Sequence, residues 1–187
     1  MMFAAAMVAM YLSNAFELPF PGKLEILGKS MWLRVGLMGT VFVAKEPGID
    51  FGFWPNREHW RIGAKEYLLF LIPGLGLGYL LGYFRAPDIQ ILKGIGMFFG
   101  SLWFITVGEE FLFRGLIQRW IGLVAAAVLY GLSHLSFRTF PNWKHVAITI
   151  LLGFFCGRAF QKARSVRAAM VTHALVNATW VGFLGKA

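Results

Sequence analysis

Apolar residues fall into seven stretches along the chain, separated by short polar or basic connections. The stretches cover residues 1–16, 31–44, 67–84, 94–107, 118–135, 146–160 and 168–184. Each is a continuous apolar run without polar alternation, which predicts a helix. Most are shorter than the roughly 20 residues that span a bilayer, but Lys and Arg side chains at their ends reach the interface and extend them. The pattern therefore predicts an all-α, polytopic transmembrane bundle of about seven helices.

The connection at 45–66 is polar and aromatic and contains Pro47 and Pro55. It is predicted to be a loop with an interfacial turn, and His59 within it is expected at the interface, as is His145 further on. Low-complexity linkers and internal repeats are not found in the sequence. A single membrane-embedded domain over residues 1–187 is the simplest prediction.

Composition strengthens the membrane interpretation. Of 187 residues, 58% are hydrophobic and only 14% are charged, whereas about a quarter of the residues in an average soluble domain are charged. The net charge of +9 comes from Lys and Arg in the connections, and no nucleic-acid motif accompanies it. The expected surroundings are therefore a lipid bilayer, in an integral, multi-pass protein, and nucleic acid is not expected as a partner.

Small residues and the lone cysteine have structural interpretations. Gly74, Gly78 and Gly82 recur every fourth residue, and Gly96 and Gly100 repeat that spacing, which predicts close packing between membrane helices. The single cysteine excludes an intrachain disulfide and any site with several cysteines. Chemistry in this chain must therefore come from histidines, carboxylates or hydroxyls.

Glu109 and Glu110 lie side by side between apolar runs. A charged side chain at the centre of a membrane helix costs about 2.5–3.5 kcal/mol even on a lenient scale, so two of them need a reason. On a helix Glu110 pairs with Arg114 four residues later, while Glu109 points about a hundred degrees away. One carboxylate is thus neutralised, and the other stays available to accept a proton from water.

Two histidines lie inside later apolar stretches. His134 follows Tyr130 by four residues, and His173 precedes Asn177 by four, so each pair shares one helical face. Taken singly, each fits a packing role. Taken together with the glutamates, they supply a base, an orienting partner and donors for an oxyanion, which is the set needed for hydrolysis by activated water.

In this order, the motifs resemble the CPBP family of intramembrane proteases, which contains the type II CAAX prenyl endopeptidases and bacteriocin-processing or immunity proteins. They are Glu-Glu-x-x-x-Arg at 109–114, Tyr-x-x-x-His at 130–134 and His-x-x-x-Asn at 173–177, and the resemblance covers the core 109–177. Tyr130 stands where the family usually has Phe. The family fold has about eight helices, which puts the expected number at seven to eight.

The resemblance implies a role for each motif residue. Glu109 with His134 binds and activates the attacking water, and His173 with Asn177 stabilises the oxyanion. The implied reaction is hydrolysis of a peptide bond in a membrane-anchored, lipidated or prenylated protein or peptide. The implied location of a bacterial member is the prokaryotic inner (plasma) membrane.

Glu110 with Arg114 holds the helix and tunes its neighbour in the same scheme. A two-His-one-carboxylate zinc site of Glu109, His134 and His173 is an alternative. It leaves no second base except Glu110, so a metal-free glutamate mechanism without a cofactor is preferred. Two other functions stay open from the residues: a small proton- or ion-coupled transporter, and a catalytically silent immunity or scaffold protein.

Overall fold

The computed structural model describes residue 50 and residues 52–186, all within the compact unit Gly48–Ala187. Its α-helices are α1 (Arg57–Leu80), α2 (Ile91–Gly100), α3 (Thr106–Glu110), α4 (Gln118–Leu132), α5 (Trp143–Ala163) and α6 (Val166–Phe183). Two π-helical segments, Ser101–Ile105 and Phe111–Ile117, join α2 to α3 and α3 to α4 without a loop. Two short strands, β1 (Phe84–Pro87) and β2 (Leu184–Lys186), pair antiparallel.

The predicted all-α class is confirmed for the described residues, apart from this short ribbon. Two helical runs, Ile91–Leu132 and Trp143–Ala163, are long and apolar enough to cross a membrane. The predicted apolar helices at 1–16 and 31–44 lie outside the described residues, so the total of seven to eight helices stays a prediction. The single domain over residues 1–187 also stays a prediction.

The start of α1 corrects the predicted loop at 45–66, because the helix begins at Arg57. The side chain of Asn56 accepts a hydrogen bond from the backbone N–H of His59 at 2.9 Å, and the backbone N–H of Asn56 donates to Nδ1 of His59 at 3.1 Å. This reciprocal pair is a capping box, in which His59 takes the place that Glu or Gln usually holds. His59 is therefore a buried capping residue, not the predicted interfacial one.

A buried ion cluster accounts for the polar residues inside the first turns of α1. Glu66 is fully buried, and its Oε2 lies 3.1 Å from Nε of Arg158, while its Oε1 pairs with Lys162. Both cations lie on α5, so the carboxylate ties α1 to α5. The pattern of apolar residues does not reveal this contact, because Lys162 is 96 residues further along the chain.

The run Ile91–Leu132 reverses direction at Gly122, whose φ of 83° and ψ of 171° are not helical. A straight helix would separate two residues 21 positions apart by about 30 Å. Yet Tyr130 hydrogen-bonds to Glu109, 21 residues earlier. Glycine adopts a positive φ without steric cost, which explains its presence at this turn. The reversal brings the carboxylate motif and the following histidine motif face to face.

Of the predicted glycines, Gly74 and Gly78 are buried, but they pack against the rings of Phe70 and Phe84, and the close approaches between helices involve other glycines. A Cβ on Gly63 of α1 would lie 2.6 Å from Cβ of Val171 and 2.7 Å from the carbonyl oxygen of Ala168, both on α6. Gly96 and Gly100, by contrast, would meet no described atom within 4 Å. The helix α6 forms the core of the described unit, since the side chains over residues 168–174 are all buried.

We expect Gly63→Ala to lower stability, because the added methyl group meets backbone atoms of α6 that cannot rotate away. Overpacking of this kind costs about 1–3 kcal/mol. Gly76→Ala on the same helix is the matched control: no described atom lies within 4 Å of its Cβ position, and Ala favours the helix. Thermal unfolding of the purified protein in detergent measures both, and equal transition temperatures for the two variants would contradict the packing assignment.

Candidate active site

Three polar side chains converge on the carboxylate of Glu109. Tyr130 donates from its hydroxyl to Oε2 at 3.1 Å. Nε2 of His134 and Nε2 of His173 each lie 3.9 Å from the same oxygen. The Glu109 side chain is 30% exposed, so it is accessible from outside the core while its partners surround it on the inner side.

The local structure of the chain produces this convergence. Glu109 belongs to the five-residue helix α3, which has a π-helical segment on each side. Such segments widen the helix locally and are frequent at functional sites. His134 lies in the turn that follows α4, and His173 lies in the middle of α6. The site thus collects side chains from three segments that are distant in sequence.

The His134 ring is oriented by the backbone of its own turn. Its Nδ1 lies 2.9 Å from the carbonyl oxygen of Tyr130. A carbonyl oxygen only accepts hydrogen bonds, so Nδ1 carries a hydrogen, and in the neutral ring Nε2 then presents a lone pair. That lone pair is on the nitrogen nearest to Glu109, in the arrangement that a general base or a ligand requires.

Glu110, Arg114 and His173 form a buried chain of charged and polar groups. Nε of Arg114 lies 3.0 Å from Oε2 of Glu110, and both side chains are buried. The predicted pairing of these two residues is thereby confirmed. The other oxygen of Glu110 lies 2.8 Å from Nδ1 of His173. Because a carboxylate accepts, this contact places the hydrogen of His173 on Nδ1 and leaves Nε2 facing Glu109.

Arg114 also connects the motif helix, the continuous helical run of residues 106–117 that carries Glu109, Glu110 and Arg114, to its neighbours. Its Nη2 donates to the carbonyl oxygen of Gly153 on α5 at 3.0 Å. Its guanidinium lies over the ring of Tyr130, with Cζ 4.6 Å from the ring centroid. A guanidinium over an aromatic face is an attractive arrangement that grows stronger away from water. One cation therefore holds the motif helix, α4 and α5 together.

Asn177 is placed differently from the other motif residues. Its Nδ2 donates to the hydroxyl of Ser101 at 2.8 Å, across the interface between α6 and the first π-helical segment. No hydrogen bond between Asn177 and Glu109, His134 or His173 is found among the described residues. Asn177 therefore lies one helical turn from His173 and has a packing partner of its own.

The hydroxyl of Tyr130 has no predicted role, because the residue enters the sequence motif only as its leading aromatic position. That hydroxyl lies 3.1 Å from Glu109 Oε2 and 3.2 Å from His173 Nε2. The sequence does indicate a role for this hydroxyl, because a tyrosine in an apolar stretch needs a hydrogen-bond partner for its O–H group, whereas a phenylalanine does not. His145, which was expected at the interface, is also buried. Its Nδ1 shares a hydrogen bond with the hydroxyl of Tyr83 at 2.8 Å.

Two sets of residues in the described part carry atoms that could bind a metal, and only the second brings three such atoms within 4.8 Å of one another. Glu109, His134 and His173 present one oxygen and two imidazole nitrogens, with each nitrogen 3.9 Å from the oxygen. A second group, Glu110, Cys156 and His173, has its ligand atoms within 4.8 Å of one another. The guanidinium of Arg114 adjoins this second group, and its positive charge opposes a metal cation there.

The segment that contains these residues is similar to a known protein family. Residues 91–179 match the family model described as type II CAAX prenyl endopeptidase Rce1-like. This segment is therefore similar to the Rce1-like family. The match runs from the start of α2 to beyond Asn177 and includes every motif residue of the candidate site, so the resemblance predicted from the motifs is confirmed. No curated protein and no solved structure matched the chain.

The Rce1-like match indicates a broad class of protein and no particular substrate. The family is one of membrane-integral proteases, and the two apolar helical runs described above are consistent with a membrane protein. In the Rce1-like segment the first motif begins on α3 and ends in the second π-helical segment, the second motif runs from the end of α4 into the following turn, and the third lies on α6.

We expect Arg114→Ala to destabilise the protein strongly, because it leaves the buried Glu110 carboxylate without its cation. Breaking a buried ion pair from one side typically costs about 3–5 kcal/mol. The double variant Glu110→Gln/Arg114→Met removes both charges and is expected to lose less stability. Thermal unfolding in detergent distinguishes them. If the single and double variants unfold at the same temperature, Arg114 does not stabilise the protein by neutralising the Glu110 carboxylate.

Proposed function

We propose that this chain is an intramembrane endopeptidase, which hydrolyses a peptide bond of a membrane-anchored or lipidated protein with water activated by Glu109 and His134. We also propose that it is a multi-pass protein of a prokaryotic inner membrane. The observation that carries the proposal is the convergence of both imidazole Nε2 atoms on one carboxylate oxygen, at 3.9 Å each. The Rce1-like match of residues 91–179 adds support from an independent source.

The spacing between Glu109 and His134 suits a bridging water. An oxygen about 2.8 Å from each acceptor is a normal hydrogen-bond donor to both, and the acceptors are 3.9 Å apart. Both hydrogens of such a water are then directed at the protein. Its lone pairs point away from the protein, toward the position of a substrate carbonyl carbon.

The proposed reaction proceeds in two steps. The water oxygen bonds to the carbonyl carbon while Glu109 takes one of its protons, and the carbonyl electrons move onto oxygen to give an oxyanion. When the carbonyl re-forms, the carbon–nitrogen bond breaks and Glu109 returns the proton to the leaving nitrogen. The products are a carboxylic acid and an amine, and Glu109 is regenerated as the carboxylate.

His173 and Asn177 are the proposed donors to the oxyanion. The amide nitrogen of Asn177 carries two hydrogens, and the one not directed at Ser101 serves this role. His173 donates from Nε2 only when both ring nitrogens are protonated, because Nδ1 is bonded to Glu110 at 2.8 Å. Donors fixed in position before the reaction stabilise developing charge most effectively.

The substrate class follows from the surroundings of the site. Large apolar side chains are exposed on α1 and α2, including Ile72, Leu92 and Phe99, as expected for surfaces in contact with lipid. A polypeptide that reaches Glu109 in a protein surrounded by lipid approaches from the bilayer or its surface. We therefore propose a membrane-anchored substrate, and a prenyl group is the lipid that the family name suggests.

Two other functions use the same polar cluster. A small proton- or ion-coupled transporter employs chains of Glu, His and Arg in membrane helices, and a catalytically silent immunity or scaffold protein retains the residues without turnover. The protease family match favours hydrolysis over both. Cleavage that depends on Glu109 distinguishes the enzyme from both rivals.

We expect purified protein in detergent to cleave membrane-anchored peptides, and Glu109→Gln or His134→Ala to lower the rate by about a thousandfold, since each removes proton transfer or water binding. The peptides share one sequence and carry a prenyl group, an acyl chain or no lipid, and cleavage is measured by mass spectrometry. Arg61→Gln is a control, because Arg61 is exposed on α1. Equal cleavage by wild type and Glu109→Gln would refute the proposed mechanism.

We expect chelators to leave cleavage unchanged, because Glu109 acts as a base in the proposed mechanism and is not a metal ligand. The rate is measured after dialysis against EDTA and in the presence of phenanthroline. Loss of activity with phenanthroline, followed by recovery on addition of zinc, would replace this mechanism with a zinc site of Glu109, His134 and His173.

A further inference from the structure

We propose that the hydroxyl of Tyr130 is a positioning group, which holds the Glu109 carboxylate in place and links it to His173. This inference rests on the proposed hydrolysis and deepens it. The hydroxyl oxygen of Tyr130 lies 3.1 Å from Glu109 Oε2 and 3.2 Å from His173 Nε2.

The position of the Tyr130 ring does not depend on these two hydrogen bonds. The guanidinium of Arg114 lies over one face, 4.6 Å from the ring centroid, and the ring of Phe113 packs edge-on with centroids 5.1 Å apart. Tyr130 is buried, so bulk water does not compete for its hydroxyl. A phenylalanine at this position keeps the same packing and lacks only the oxygen.

The hydroxyl has one hydrogen to share between two acceptors. When His173 carries a hydrogen only on Nδ1, its Nε2 and the carboxylate of Glu109 compete for the hydrogen of Tyr130. When His173 also carries a hydrogen on Nε2, Tyr130 accepts from His173 and donates to Glu109 at the same time. The hydroxyl therefore holds Glu109 most firmly in the state in which His173 acts as an oxyanion donor.

Glu109 needs such a partner because little else holds it. Among the described residues, Tyr130 supplies the hydrogen bond to Glu109, whereas both imidazoles remain 3.9 Å away. The side chain is partly exposed and has three rotatable bonds. A hydrogen bond to one lone pair of Oε2 restricts these rotations and leaves another lone pair of the carboxylate for the water.

The test compares Tyr130→Phe with Tyr67→Phe. Tyr67 lies on α1, and its hydroxyl bonds to Thr179 at 2.7 Å, so this control also removes one hydroxyl between helices. Tyr130→Phe is expected to lower kcat on the order of tenfold, with KM and the thermal transition unchanged. Tyr67→Phe is expected to keep the wild-type kcat. A wild-type kcat in Tyr130→Phe, or a fall in kcat matched by Tyr67→Phe, would overturn the proposal.

A second measurement tests positioning without turnover. Infrared spectra of protein labelled with carbon-13 glutamate, with Glu109→Gln subtracted, isolate the carboxylate stretch of Glu109. Tyr130→Phe is expected to shift that band, and Tyr67→Phe to leave it unchanged. If Tyr130→Phe shifts the band but the wild-type protein cleaves no peptide, the positioning role is supported and the proposed function is refuted. An unshifted band would refute the positioning role whether or not cleavage occurs.

Discussion

The candidate site depends on the buried pair between Glu110 and Arg114. A lone carboxylate in an apolar core is costly, and a cation at 3.0 Å from its Oε2 offsets part of that cost. With one oxygen paired in this way, Glu110 uses its other oxygen to hold Nδ1 of His173 at 2.8 Å. The orientation of His173, and therefore the direction of its Nε2 toward Glu109, follows from the pair.

The same arginine connects the motif helix to the rest of the bundle. Its contacts with the carbonyl oxygen of Gly153 and the ring of Tyr130 join three segments. The reversal at Gly122 makes these contacts possible, since it returns the chain along the side of the motif helix. Charge pairing and chain reversal thus act together: the turn brings the histidine motif into reach, and the cation fixes how closely it packs.

Local features of the fold were predictable, and long-range ones were not. The bounds of α5 and α6 lie within a few residues of the ends of the apolar stretches at 146–160 and 168–184. The start of α1 was missed, because its first turns are polar and depend on a capping box and on the contact of Glu66 with α5. The pattern of apolar residues along the sequence does not show which charged side chains are neutralised by a distant helix.

For the site, the sequence alone determined that Glu110 pairs with Arg114 while Glu109 points elsewhere, and the catalytic roles of the motif residues stay predictions. Spacing of four residues on a helix sets that geometry locally. Only the tertiary structure decided that Tyr130 donates to Glu109 and that Asn177 bonds to Ser101. These contacts join residues 21 and 76 positions apart, and such pairs form through the packing of whole helices, which no local spacing encodes.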